Sequence, residues 1–431
     1  MNMTGPSIPE TPSPETPSSG TPSAGSPRPA AASQETAGPE TASAAAAVGS
    51  GRGGVTLRAD RVFTGEGLLA PGHVTIDGER IVAVGAEPPA GARVVDLGGH
   101  DLLPGLVDLH SDCWHHRARP RPSTHFALDE TLVMLDTEVV SWGITTHYVC
   151  VALQEDASKS RTPAQAAESV AVVEKVRGQL RADHRIHLRV EATSERLDLA
   201  ADLAASPAVS LLSYMDHTPG QGQYKREQEW RTYLARIGET DLDGMLARRL
   251  ARQPHTDATR AELARLARRH QIALASHDDD TAARVEQAEG LGATISEFPV
   301  SAGAAAAATE RGLLTVMGAP NALRGTSHLA GNLSAREALA TGHLGALASD
   351  YHPPCLLGAI YALPAAGLCD LPTAVALATS NPARAVGLAD RGRLAPGARA
   401  DLVAVAHRAG RPVVAQTWIA GTPVFGPWSQ S

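Results

Sequence analysis

The chain has 431 residues, 43% hydrophobic and only 3% aromatic, with a formal net charge of −8. That length allows two or three domains, or one large barrel with an appendage, because single cores stop growing near ~250–300 residues. The acidic balance provides no basic footprint for nucleic acid or for an anionic membrane surface. Cys113, Cys150, Cys355 and Cys369 form no C-x-x-C pair, so a reducing, cytoplasmic setting is expected and no zinc ribbon or redox motif is present. The first residues lack the basic and apolar regions of a secretory signal, and no run of ~18 apolar residues could span a bilayer.

In chain order, residues 1–54 carry Pro, Ser, Thr, Ala, Gly and Glu with no leucine or aromatic residue, a composition that predicts a disordered tail. The run Gly49-Ser-Gly-Arg-Gly-Gly54 follows no strand and opens no helix, so it reads as a linker rather than a dinucleotide loop. Short β-rich runs then begin at Val55, Val62, His73, Arg80 and Arg93, separated by Gly, Pro and Asp, and the same texture returns at Asp401, Pro412 and Thr417. The two flanks, 55–102 and 389–425, are expected to pair into one small β-sandwich domain.

Between them, residues 103–388 alternate strands with Ala/Arg/Glu-rich helices such as Thr259–His270 and Ala335–Thr341. The strand candidates are Leu106–Asp112, Ile144–Cys150, Ile186–Glu191, Val209–His217, Ile272–Asp278, Thr294–Pro299, Leu314–Asn321 and Leu344–Tyr351. Eight β/α units over this length predict an α/β fold, a (β/α)8 TIM barrel, with a doubly wound open sheet as the competitor.

Five of these runs end in residues that bind metals or move protons: His110 and Asp112, Glu191, Asp216 and His217, His277, and Asp350. Barrel sites form at the C-terminal ends of the strands, and strand alternation puts His110 and Asp112 on one face. A lone strand-end histidine is commonly a satisfied core group, but five such ends in barrel order predict a shared N/O cage for a pair of divalent ions. Asp216 and the run Asp278-Asp-Asp280 read instead as helix caps or solvated loop.

The run Leu103-Pro-Gly-Leu-Val-Asp-Leu-His110, together with Ser380-Asn-Pro-Ala-Arg-Ala-Val-Gly-Leu388 and Gly397-Ala-Arg-Ala-Asp-Leu-Val403, resembles the amidohydrolase superfamily. Within it the chain is similar to the diphosphatase family of the carbon–phosphorus lyase pathway, marked by an H-x-D, here His110-Ser-Asp112. The likeness continues in His187-Leu-Arg-Val-Glu191, Met215-Asp-His-Thr-Pro-Gly-Gln221, Ala273-Leu-Ala-Ser-His-Asp-Asp279, Glu297-Phe-Pro299, Met317-Gly-Ala-Pro-Asn321, Arg324-Gly-Thr-Ser-His328 and Ser349-Asp-Tyr351. It implies that His110, Asp112, His217, His277 and Asp350 hold two divalent ions, expected to be zinc, with Glu191 bridging them and Asp350 taking the proton. The lysines, Lys159, Lys175 and Lys225, end no predicted barrel strand, so a carboxylated lysine is not expected as the bridge. In the superfamily the ligands usually fall on strands one, four, five, six and eight. The present count puts Glu191, His217 and His277 one strand earlier and so predicts a further strand before Ile186.

The resemblance implies a sugar phosphonate substrate, α-D-ribose 1-methylphosphonate 5-triphosphate, from which diphosphate is released. A polyanion of this kind needs arginine, and Arg121 and Arg324, with His328, are the candidate contacts; for Arg189, on the face of Glu191, a structural ion pair weighs as much. His115, His116 and His125 read as loop residues. The chain departs from the family at Cys113-Trp-His-His116 and at Gly222, positions that would face substrate rather than metal. Two alternatives stay open: a C–N hydrolase, either a cyclic amidase or a deaminase, and a non-catalytic scaffold. The residues leave a homo-oligomer open.

Overall fold

The computed structural model describes residues 54–121, 123–154, 161–236, 238–327 and 329–426. The tail expected to be disordered, Lys159 and His328 lie outside these residues.

Eight parallel strands make the barrel: β1 (Leu106–Ser111), β2 (Ile144–Leu153), β3 (Asp183–Glu191), β4 (Val209–Met215), β5 (Ala273–His277), β6 (Ile295–Glu297), β7 (Leu314–Gly318) and β8 (Ala346–Ala348). Each pairs with its sequence neighbour, which settles the choice against a doubly wound sheet. These are the eight strand runs expected from sequence. Among the described residues there is no additional strand before Ile186: β3 follows the helix Pro163–Val176 and a short 3-10 turn, so Glu191, His217 and His277 belong to the third, fourth and fifth strands.

The ring closes between β8 and β1 through residues of the site itself. The Asp350 N–H donates to the His110 carbonyl at 2.8 Å, and the Asp112 N–H donates to the Asp350 carbonyl at 2.8 Å. Beneath this seam the buried Asp108 carboxylate accepts the Ser349 N–H at 2.9 Å.

Val107, Leu109, Tyr148, Leu211, Ala275, Ile295, Val316, Ala346 and Ala348 fill the barrel interior, while a larger apolar layer lies between strands and outer helices. Small residues on the later strands offset the bulk of Tyr148, as close packing requires. Polar residues start the helices: Thr162, Thr281, Ser301 and Asp370 each accept an N–H of the first turn, and Ser334 with Glu337 makes a reciprocal capping box.

Outside the barrel a four-stranded sheet faces a six-stranded one, and together they form a smaller β domain. Strand Leu402–Arg408 of the C-terminal flank lies between Asp101–Pro104 of the N-terminal flank and Arg411–Ile419. Leu57, Val74 and Ile81 from one sheet pack on Val62, Leu102, Leu402 and Trp418 from the other. The runs at Pro412 and Thr417 merge into one bulged strand. No helix among the described residues is long and apolar enough to cross a membrane.

Candidate active site

A cleft of about 920 Å³ opens at the C-terminal ends of the barrel strands, lined by His110, Asp112, His217, His277, Asp278 and Asp350. Three of the residues just past strand ends, Asp278, Phe298 and Asp350, have φ between +54° and +58°. Non-glycine residues seldom adopt this left-handed turn, and here it carries the chain out of the strand while leaving the side chain at the rim.

Two carboxylates hold the histidines in place. Glu297 accepts from His110 Nδ1 through Oε1 at 2.7 Å and from His277 Nδ1 through Oε2 at 2.7 Å. Glu191 Oε2 pairs with His217 Nδ1 at 2.8 Å. Each imidazole therefore keeps Nε2 for another partner, the arrangement by which outer carboxylates orient metal-binding histidines. Two seats result. In one, His110, Asp112 and Asp350 bring ligand atoms within 4.8 Å of one another; in the other, His217, His277 and Asp278 do. In the second seat Asp278 Oδ2 lies 3.8 Å from His217 Nε2 and 3.7 Å from His277 Nε2, spacings that suit a small divalent ion among N and O donors.

Five of the six residues expected as ligands thus meet in the two seats. Glu191 is placed differently from the bridging position that the resemblance implies. Its Oε1 accepts the His217 backbone N–H at 2.8 Å and Arg249 Nη1 at 2.7 Å, so both oxygens are turned to His217 and Arg249 and neither joins a seat. The carboxylate is almost wholly buried. Burial alone would raise its pKa, but the Arg249 charge and His217 hold it well below the usual range. Lys175 pairs with Asp129 and Lys225 with the Gly331 carbonyl, so neither is a bridge.

The reading of Asp216 and Asp278-Asp-Asp280 as caps or solvated loop is corrected for Asp278 and Asp279, while Asp280 does lie in a loop. Asp216 accepts the Thr218 N–H at 3.2 Å and pairs with the buried Arg260 at 2.7 Å. Asp278 joins the second seat. Asp279 is buried and accepts from Ser276 and Ser296 at 2.5 and 2.6 Å, and Asp280 accepts the Gly222 N–H at 3.0 Å. Burial drives the Asp278 and Asp350 carboxyls upward, Asp350 to about 6, with neighbouring carboxylates adding to the shift. Asp112 moves the other way: burial is outweighed by Arg189, at 3.0 and 3.1 Å, and by Arg161, at 3.3 Å.

Arg121 and Arg324 both line the cleft, with Arg119, Arg161 and Arg249. His115 and His116 line it too, from the short helix Cys113–Ala118 rather than a loop, and His115 Nε2 lies 2.9 Å from the hydroxyl of Ser169 on the helix Pro163–Val176. Sequence reasoning assigned no role to Glu297, which lies inside the strand candidate Thr294–Pro299 and ends β6 in the structure, nor to Arg161 and Arg249, which reach the site from outside the strands.

A sequence profile of the amidohydrolase family matches residues 151–425. The chain is 34% identical over 374 residues to an Escherichia coli K12 protein described as alpha-D-ribose 1-methylphosphonate 5-triphosphate diphosphatase, covering 84% of this chain and 97% of that one. Among solved structures, N-acetyl-D-glucosamine-6-phosphate deacetylase from Mycobacterium smegmatis matches with a TM-score of 0.57 at 21% identity, covering 86% of this chain and all of that one. Dihydropyrimidinase from Brevibacillus agri matches with a TM-score of 0.54 at 16% identity, over 86% of this chain and 95% of that one. At these identities the two structures speak for the fold alone.

Proposed function

The chain belongs to the amidohydrolase family, and from that premise we propose that it is a metal-dependent hydrolase releasing diphosphate from α-D-ribose 1-methylphosphonate 5-triphosphate in phosphonate catabolism. The observation that carries this reading is the cleft: six arginines, Arg119, Arg121, Arg161, Arg189, Arg249 and Arg324, line it around two clusters of metal-binding side chains in a protein that is acidic overall. Guanidinium forks match phosphate oxygens in pairs, and such a concentration suits a triphosphate far better than a neutral amide.

The donors fit a divalent ion, zinc by their mixture of imidazole nitrogen and carboxylate oxygen, because each histidine has its Nδ1 held by a carboxylate and its Nε2 turned towards Asp112 or Asp278. When bound, such an ion supplies Lewis acidity and lowers the pKa of water near it. The remaining chemistry belongs to the side chains. Asp350, as carboxylate, takes the proton of the attacking water. The water oxygen bonds to the α-phosphorus while the bond from that phosphorus to the bridging oxygen breaks. The diphosphate leaves with its charge spread over the arginines, and α-D-ribose 1-methylphosphonate 5-phosphate remains.

The test is a substrate panel on purified, metal-loaded protein. Release of diphosphate from ribose 5-triphosphates with a 1-phosphonate is the expected result. Ring opening of cyclic amides, or ammonia release, with no diphosphate formed would overturn it. In the same assay Arg324→Ala should raise KM for the triphosphate roughly ten- to a hundredfold, the value of a charged hydrogen bond. Its effect on a neutral analogue should be small.

A further inference from the structure

We propose that Arg189 stands in for a second metal ion: the chain takes one divalent cation, at His110, Asp112 and Asp350, while this guanidinium keeps the seat of His217, His277 and Asp278 closed. The inference rests on the metal-dependent reading above and goes further in setting the number of ions and their place.

Counting lone pairs separates the two seats. A carboxylate oxygen carries two. Asp112 can therefore accept Arg189 Nη1 at 3.0 and 3.1 Å, and Arg161 at 3.3 Å, and still present a lone pair to a cation. His277 has no such reserve. Its Nδ1–H donates to Glu297 at 2.7 Å, which leaves a single lone pair, on Nε2. Arg189 Nη2 lies 3.1 Å from that nitrogen and donates to it. An ion in the second seat would have to break this contact first.

Arg189 is also poorly placed to leave. It is buried, and its strand register sets it between Ala152 of β2 and Ser213 of β4. Its Nε finds no partner, so the guanidinium is held by Asp112 and His277. Moving it off them would strand a buried cation. The charges agree: Arg189 already sets a fixed positive charge against His277, whereas Asp112 meets it with a full carboxylate. A second ion would instead sit in contact with a fixed positive charge, where repulsion is least screened.

The experiment counts metal directly. Full-length protein is stripped with chelator, dialysed against excess Zn²⁺ at neutral pH, and analysed by mass spectrometry of the element per mole of folded chain. Wild type and His277→Gln are each expected to hold one ion, His110→Gln none, and Arg189→Met two. Two ions in the wild type would overturn the inference and leave the metal-dependent reading standing; no ion in the wild type would overturn both. Loss of the ion in His277→Gln, or a count that stays at one in folded Arg189→Met, would also overturn the inference. Should Arg189→Met fail to fold, the wild-type and His277→Gln counts still decide.

Discussion

Asp350 owes its role to where the chain turns. Its left-handed backbone follows the last barrel strand, its own amide and carbonyl are spent on closing the ring, and only the carboxylate remains for the cleft. Asp350→Asn keeps the shape and the closing hydrogen bonds but cannot accept a proton. It is expected to lower kcat by ~10²–10⁴-fold with an unchanged circular dichroism spectrum. Retention of a tenth of the activity would remove Asp350 from the base role. His115 provides a pH test on the same wall of the cleft. Burial pushes its pKa down to about 4, and the Arg161 charge adds to the effect. The unfolded chain takes up this proton near pH 6.5, the folded chain only near 4. The stabilising contribution is therefore complete above pH 6.5 and is lost as pH falls towards 4, on the order of 2 kcal/mol allowing for partial exposure of the ring. Melting temperatures of His115→Gln should fall less steeply across that window than those of the wild type.

Between β4 and β5 the helices Glu227–Arg236 and Leu242–Arg252 form an insert with a small core of its own, Tyr224, Trp230, Leu234 and Met245. Arg249 carries this insert to the rim by reaching Glu191, which in turn fixes His217. Arg249→Ala leaves Glu191 buried beside His217 without its strongest counter-charge, a loss of about 1.5–3 kcal/mol for a charged hydrogen bond. The expected result is a raised KM, faster tryptic cleavage within residues 225–255, and a melting temperature lowered in step with that loss. Limited proteolysis against a thermal melt checks it. This element also shows where sequence reading stops. The eight strands were legible because apolar runs alternate with helical stretches at β/α spacing, and five of those runs end in His, Asp or Glu. The partners of those residues were not: Arg249 lies 58 positions from Glu191, and Glu297 lies 187 from His110. No local period links such pairs; closure of the barrel brings them together. Asp278 was misread for the opposite reason, since three consecutive aspartates look like solvated loop until a left-handed turn sets the first of them beside His217 and His277.

At the scale of the molecule, the two flanks pair as expected: each forms ladders of its own, and Leu402–Arg408 joins them by pairing with Asp101–Pro104. What sequence did not disclose is how the C-terminal segment grips the barrel. Arg391 is buried, with Nη1 3.0 Å from the Thr146 hydroxyl and 2.8 Å from Asp183, so it joins β2 and β3 to the chain that leads into the β domain. Asp183 keeps Arg185 at 2.9 Å in its absence. Arg391→Ala should accordingly cost about 3 kcal/mol, the low end for breaking a buried pair. Calorimetry should register a single, earlier transition; an unchanged melt would make the contact incidental.

The seam between β8 and β1 has a consequence for how the protein breathes. The amide protons that lock the barrel shut belong to Asp112 and Asp350, the same residues whose carboxylates face the cleft. Local opening of the ring and disassembly of the site are then one equilibrium, and whatever occupies the cleft draws it towards the closed form. Deuterium should enter these two amides faster than those in the middle of β3, and a ligand in the cleft should slow the first pair selectively. A cylinder latched at its working residues needs no lid to sense occupancy.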